Sequence, residues 1–324
     1  MVTGTHGTHR RQQQGLALIT AVLVVAIVAT VATTLALGEQ VWFRQAQNMT
    51  GRAQAESLRR GALNYAAILL ARDDAKTDHL GELWAKPLPP LPVEDGMIAF
   101  AVVDAQGQFN LNNLASTVGA SGKDNSEMFE RLLISKGLDP TLSGALFDWL
   151  DSNLTVDKPG GAEDIEYLSL PQPYRSGYQL LTSVDELRLV KGFTAKVVEQ
   201  LRPYVTALPT APTTINVNTA PAEVLAALFK NPPAPAVLQS LLDSRVNQPF
   251  EGADNFLKKL PQGTPQPQPS LYGTITSHFL VTIDIRYGRL QRRTEGLIER
   301  KSGKATVLWH RLPPLQFEMN DEKT

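Results

Sequence analysis

The sequence predicts an α+β protein in which a long N-terminal helix crosses a membrane and leads into an antiparallel sheet with a large α-helical domain inserted in it. Three observations carry that prediction. Residues 16–37 form an uncharged apolar run; strand-like stretches lie near residues 97–111 and again near 279–312; and the chain between them reads as helix after helix. A sheet built from both ends of the exported chain requires the middle to be an insertion.

The run LALITAVLVVAIVATVATTLAL contains no charge, proline or glycine. As a helix its roughly 22 residues rise about 33 Å, enough to cross a hydrocarbon core of about 30 Å. It is too long for the apolar core of a secretory signal, which holds about 7–15 residues. Arg10 and Arg11 precede it and Glu39 follows it. The positive-inside rule therefore puts the N-terminus in the cytoplasm and the bulk of the chain outside. Residues 39–71 continue as an amphipathic helix, with apolar side chains at Leu58, Ala62, Tyr65, Ile68 and Leu69 and a softening point at Gly51.

Residues 86–92, KPLPPLP, break the helix and exclude a central strand. Residues 97–103 read as a strand, 104–107 as a turn, and 108–111 as the return arm of a hairpin. At the far end, 279–287, 290–299 and 305–312 read as strands separated by Gly288 and by the turn 301–304. Within the insertion, 112–273, helices are expected at 126–135, 140–150, 183–189, 194–204, 221–229 and 234–245. Caps or N1 prolines start them, as at Asn218-Thr-Ala-Pro221. The polar, proline-rich stretch 261–269 then leads back to the sheet.

Composition narrows function. The formal net charge of −1 supplies no field for nucleic acid or an anionic surface, and the absence of cysteine removes disulfides, thiol nucleophiles and cysteine-bound zinc. Of five histidines, His6 and His9 sit near the N-terminus, while His79, His278 and His310 are scattered singly. No G-x-S-x-G, H-E-x-x-H or phosphate loop occurs, so an enzyme is not expected.

The densest chemistry is Asp148-Trp-Leu-Asp151-Ser-Asn153, then Asp157, then Gly160-Gly-Ala-Glu163-Asp164 and Tyr167. Hard oxygen ligands around a pair of glycines suit calcium, which takes 6–8 oxygens in adaptable geometry. The spacing is not that of an EF-hand, and a solvated loop of Asx turns and helix caps accounts for the same residues. A second motif, INVNTAPAEVL at 215–225, resembles the opening of a helix-hairpin-helix DNA-binding unit. That makes a membrane-anchored DNA-uptake protein the alternative reading. The hairpin it needs falls at 230–235, where three prolines replace the N–H donors that phosphate contact requires, and no basic patch accompanies it. Nucleic acid is therefore not the expected partner. Arg286, Arg289, Arg292, Arg293 and Arg300 read as solvated strand edges that deter aggregation.

A basic leader that ends in glycine, Arg10-Arg-Gln-Gln-Gln-Gly15-Leu16, directly before the apolar run resembles a type IV prepilin leader. The resemblance implies cleavage between Gly15 and Leu16 by a prepilin peptidase and methylation of the new N-terminus at Leu16. Most pilins carry glutamate as the fifth mature residue; Thr20 stands there. An unpaired carboxylate in a membrane helix costs about 2.5–3.5 kcal/mol, so its loss removes a pairing used along the fibre. With that departure, the acidic loop and SVDELRLVKG at 183–192, the chain resembles the general secretion pathway protein K family, the large minor pseudopilins of type II secretion systems.

That resemblance implies a pilin-like α+β fold divided as leader 1–15, membrane helix 16–37, first sheet part 38–111, inserted α-domain 112–273 with sterile-alpha-motif-like units, C-terminal strands 274–312 and tail 313–324. It implies calcium held by Asp151, Asn153, Asp157, Glu163 and Asp164, with Asp148 in reserve. It also implies a place in the inner membrane with the bulk periplasmic, and a role in capping the pseudopilus tip and helping to start its assembly. The implied partners are other minor pseudopilins of the tip complex, the prepilin peptidase and the inner-membrane assembly platform. The junction is directly testable: intact mass should show a chain beginning at Leu16, and Gly15→Val should leave the leader attached.

Overall fold

The computed structural model describes residues 8–74, 76–115, 120–288 and 290–312. His6, Arg289 and the tail 313–324 lie outside the described residues. Helix α1, Thr8–Ala71, runs 64 residues without a break, through the Gly15–Leu16 junction and through Gly51, so the softening expected at Gly51 is not seen. Among the described residues it is the one helix long and apolar enough to cross a membrane.

Past α1 come strand β1, Leu91–Val93, and strand β2, Gly96–Asp104. Strand β3, Phe109–Asn110, opens the insertion, which contains α2 (Ala120–Ser135), α3 (Leu142–Leu150), α4 (Asp164–Leu168) and α5 (Ala195–Leu201). Strands β4 (Val205–Thr206) and β5 (Ile215–Asn216) follow, then α6 (Ala222–Ala227), α7 (Pro235–Asn247), α8 (Ala253–Lys258) and β6 (Tyr272–Gly273). The chain closes with β7 (His278–Tyr287), β8 (Leu290–Lys301) and β9 (Lys304–Arg311).

The main sheet has the order β1-β2-β7-β8-β9, antiparallel throughout, so β2 from one end of the insertion lies beside β7 from the other. Pro92 is tolerated because β1 is a short edge strand. Alternation sends Ile98, Phe100 and Val102 of β2 and Phe279, Val281, Ile283 and Ile285 of β7 into one core with α1. The α1 stripe that meets them is Ala55, Arg59, Ala62, Leu63, Ala66 and Leu70, a 3.6-residue repeat in which alanine fills half the positions. Tyr65 and Ile68 sit at the margin of that face, each 51% exposed, with the Tyr65 ring still edge-on to Phe100 at 5.5 Å. Close approach explains the preference for small residues: a Cβ on Gly296 of β8 would lie 2.7 Å from Leu63.

The expected hairpin at 108–111 does not form. Residues 105–107 wind into a 3₁₀ turn capped by Asp104, and β3 pairs instead in parallel with β4, at the opposite end of the first half of the insertion. The second half repeats the plan, with β5 parallel to β6. Each half uses the same pair of asparagines. Asn110 and Asn216 accept from the backbone N–H two residues on, at 3.2 and 3.0 Å. Asn112 then brackets the Leu181 backbone, accepting from its N–H at 2.8 Å and donating to its C=O at 2.9 Å. Asn218 does the same to Phe250, at 2.8 and 3.0 Å. The two halves of the insertion thus share a parallel strand pair and an asparagine bracket, and they pack around one large helical core.

Insertion and sheet meet at a buried polar hub. Asp104 Oδ1 accepts from the Gln106 N–H and the Thr276 hydroxyl, both at 2.7 Å; Oδ2 accepts from Asn216 Nδ2 at 2.7 Å and the Thr219 hydroxyl at 2.6 Å. Beside it Arg300, far from a solvated edge, is 6% exposed; it bonds Asp73 at 3.0 Å, the Thr276 carbonyl at 3.0 Å, and Asp78. The remaining arginines follow the expectation more closely: Arg286 is exposed and Arg293 pairs with Asp284 on the surface. Because residues 73–78 follow directly on α1, the hub sits at the end of that helix opposite the apolar run, and the insertion touches it there through Thr77 to Glu251 and Asn216 to Asp78. Asp104→Ala would leave several buried donors without an acceptor, and should cost about 3 kcal/mol or more of unfolding free energy. Urea denaturation should show a lower midpoint at an unchanged slope.

Candidate metal centre

The acidic stretch folds as a loop between α3 and α4. Asp148 lies on the buried face of α3 and is 0% exposed, and Asp151 is that helix's C-cap, its N–H donating to the Phe147 carbonyl at 3.1 Å. The loop can return over α3 only because of its two glycines. Gly160 has φ +84°, and a Cβ there would meet the Thr141 carbonyl at 2.5 Å; a Cβ on Gly161 would lie 2.0 Å from Asp148 Oδ2.

The return brings one carboxylate oxygen each from Asp148, Asp151 and Asp157 within 4.8 Å of one another. Oxygens on opposite sides of a calcium ion at 2.3–2.6 Å are at most about 5 Å apart, so the three fit around one cation. Glu163 is 5% exposed and neither of its carboxylate oxygens has a hydrogen-bond partner; Asp148 Oδ2 is likewise buried and unpartnered. Among the described residues no ion pair neutralises these four carboxylates. Lys158 is the nearest cation in sequence, but its Nζ bonds the Ser126 hydroxyl at 2.8 Å and lies over the Phe147 ring.

The other two expected ligands are used differently. Asn153 turns its amide nitrogen inward, donating to Asp151 at 2.8 Å and Asp157 at 2.9 Å, while its oxygen accepts from the Thr155 N–H. Asp164 accepts from the Ser176 N–H at 3.0 Å and pairs with Arg175 at 3.4 Å, tying down the next loop. Asp148, held in reserve by the sequence reading, is the most buried of the set. Trp149 packs edge-on to Tyr167 at 5.1 Å and Tyr167 tilts against Tyr174 at 5.4 Å, and the Tyr174 hydroxyl donates to the Leu189 carbonyl at 2.8 Å, joining the segment after α4 to the 183–192 stretch.

Burial pushes the Glu163 carboxyl up to about 7 and Asp148 up to about 6, with repulsion from the neighbouring carboxylates adding to both; Asp151 is raised for the same reasons. A second acidic group, Asp73, Asp78 and Glu82, has similar spacing but is already supplied with donors. Arg300 serves both aspartates, and Glu82 accepts from the Trp84 indole at 2.6 Å and the His79 N–H at 3.1 Å. Its cation is an arginine.

Two family models described as type II secretion system (T2SS), protein K match residues 107–210 and 215–274, which are the two halves of the insertion. A type II secretion system protein K from Pseudomonas aeruginosa is 34% identical over 314 residues, covering 92% of each chain. The chain belongs to the type II secretion system protein K family. The protein K of Klebsiella pneumoniae is 30% identical over 90% of this chain and 97% of its own. A chain of the crystal structure of the GspK-GspI-GspJ complex from the enterotoxigenic Escherichia coli type 2 secretion system superposes with a TM-score of 0.71 at 27% identity, covering 84% of this chain and 99% of that one. As in that protein K fold, an N-terminal helix, an antiparallel sheet and an inserted helical region make up a minor pseudopilin.

The raised carboxyls of the loop carry a signed pH prediction. Glu163 and Asp148 titrate above their unfolded values, near 4, so between about pH 4 and pH 7 the folded state holds more protons than the unfolded one. Stability therefore falls as pH rises through that window. In chelator, Glu163→Gln should raise the melting temperature near pH 8 and flatten its decline from about pH 5, read as the difference from wild type.

Proposed function

We propose that this minor pseudopilin caps the tip of the pseudopilus and helps to start its assembly, together with other minor pseudopilins. The observation that carries the reading is the seat of the insertion at the hub, on the end of α1 away from the apolar run. A fibre that grows by adding subunits from the membrane has its oldest subunit farthest out, and a bulky domain on that subunit is sterically free only there. Thr20 supports the same position: its hydroxyl donates to the Ala17 carbonyl at 3.0 Å within its own helix, and it offers no carboxylate to the amine of a neighbour. The stretch of α1 between Gln45 and Gln54, which the sheet leaves uncovered, is the surface along which partner helices would pack.

On this reading the apolar run anchors a single pass in the inner membrane with the bulk in the periplasm. A prepilin peptidase cuts at Gly15–Leu16 and the new N-terminus is methylated. The assembly platform in the inner membrane then receives the subunit. The acidic loop binds calcium through Asp148, Asp151, Asp157 and Glu163, whose bound cation would supply the positive charge that the fold omits.

Position is tested by labelling: one copy per pseudopilus, at one end, supports the cap, whereas copies at regular intervals overturn it. Calcium is tested by calorimetry. An ion that binds only the folded state stabilises it by about 2.7 kcal/mol at a hundredfold excess over Kd. Calcium should raise the melting temperature over chelator, magnesium should substitute poorly, and Asp151→Ala should remove most of the increment. Equal melting in calcium and chelator would end the calcium assignment.

A further inference from the structure

Between the apolar run and the sheet, α1 is bare. The first of its residues that the sheet buries is Ala55, yet Val41, Trp42 and Phe43 are 55%, 75% and 65% exposed. Among the described residues Trp42 makes no hydrogen bond or ring contact. Leaving several large apolar side chains in water forgoes about 1.5–3 kcal/mol each, so the segment calls for a covering.

Helical geometry says what kind. Consecutive residues are set about 100° apart, so Val41, Trp42 and Phe43 fan around roughly 200° of the helix. A partner helix covers one stripe at 3–4-residue spacing, whereas a lipid layer surrounds the helix. Height agrees. At 1.5 Å per residue Trp42 stands about 7.5 Å beyond Leu37, the end of the apolar run, and the headgroup region on each side of a bilayer is roughly 5–8 Å deep. Tryptophan is enriched there because its ring is apolar and its N–H is polar. Arg44 follows, at the height where a cationic head reaches phosphate.

We propose that residues 41–44 form a collar in the headgroup layer of the outward-facing leaflet, with Trp42 and Phe43 as anchors and Arg44 on lipid phosphate. The proposal rests on the reading that residues 16–37 span the bilayer. The collar fixes how far α1 stands out of the membrane: Ala55 lies twelve residues past Phe43, holding the sheet about 18 Å above the headgroups.

The test uses the full chain in vesicles of phosphatidylethanolamine and phosphatidylglycerol whose acyl chains carry bromine either near the headgroup or at the bilayer centre. The difference in emission between wild type and Trp42→Phe isolates Trp42 from Trp84, Trp149 and Trp309. That difference signal should be blue-shifted and should lose more intensity to the shallow bromines than to the central ones. If the protein resists carbonate extraction but Trp42 is quenched by aqueous iodide and by neither bromine, the stalk stands in water and the collar is wrong. Shielding from iodide and bromine alike would mean that protein covers it, which also overturns the proposal. Release by carbonate would instead remove the spanning reading, and the collar with it.

Discussion

The sheet and insertion of this pseudopilin depend on one carboxylate kept out of water. Asp104, 3% exposed, ends β2, and its two oxygens take hydrogen bonds from Gln106, Asn216, Thr219 and Thr276. Burial raises its pKa and the four donors oppose that rise. A buried carboxylate is tolerable only when its oxygens are supplied with donors, so the segments that supply them must arrive together. Those segments are the turn after β2, the start of the second insertion unit, and the entry to β7. The sheet and the insertion, which also meet through a small apolar cluster of Ala105, Leu208 and Leu297 and a hydrogen bond from Arg311 to Ser183, are thereby fixed to each other.

The two acidic groups of the molecule solve the same problem in opposite ways. At the hub, Arg300 is an internal cation, bonded to Asp73 and Asp78 and stacked over the Phe279 ring at 5.0 Å. Among the described residues no side chain plays that part around Asp148, and the nearby Lys158 is spent on Ser126 and Phe147. Within the loop the Asn153 amide bridges Asp151 and Asp157, donating to both. Buried, unpartnered oxygens of this kind are rare in native proteins, and each asks for an explanation.

Much of this was legible in the sequence, where a signal was local. The 16–37 run, the alternating strands at 279–312 and the proline-led helix at 235 follow from hydropathy period and backbone chemistry alone. The acidic loop was legible as a cluster, but its internal roles were not. Asp148 outranks Asn153 and Asp164 because of burial and glycine-allowed contact, which spacing does not encode. The hairpin expected at 108–111 failed because β3 pairs with β4, about a hundred residues away, and nothing local announces that pairing. Arg300 looked like its exposed neighbours in sequence; alternation alone put it on the inner face of β8. The paired Asn110-Leu-Asn112 and Asn216-Val-Asn218 were present as a repeat signal, and their shared hydrogen bonds give that signal its meaning.

If the Asp104 hub fixes the insertion to the sheet, the two are a single thermodynamic body despite their separate cores. Differential scanning calorimetry of the full chain in detergent, with calcium present, asks this directly. A single transition, with calorimetric and van't Hoff enthalpies equal, is the result this account predicts. Two resolved transitions, with the sheet and the insertion melting apart, would contradict it.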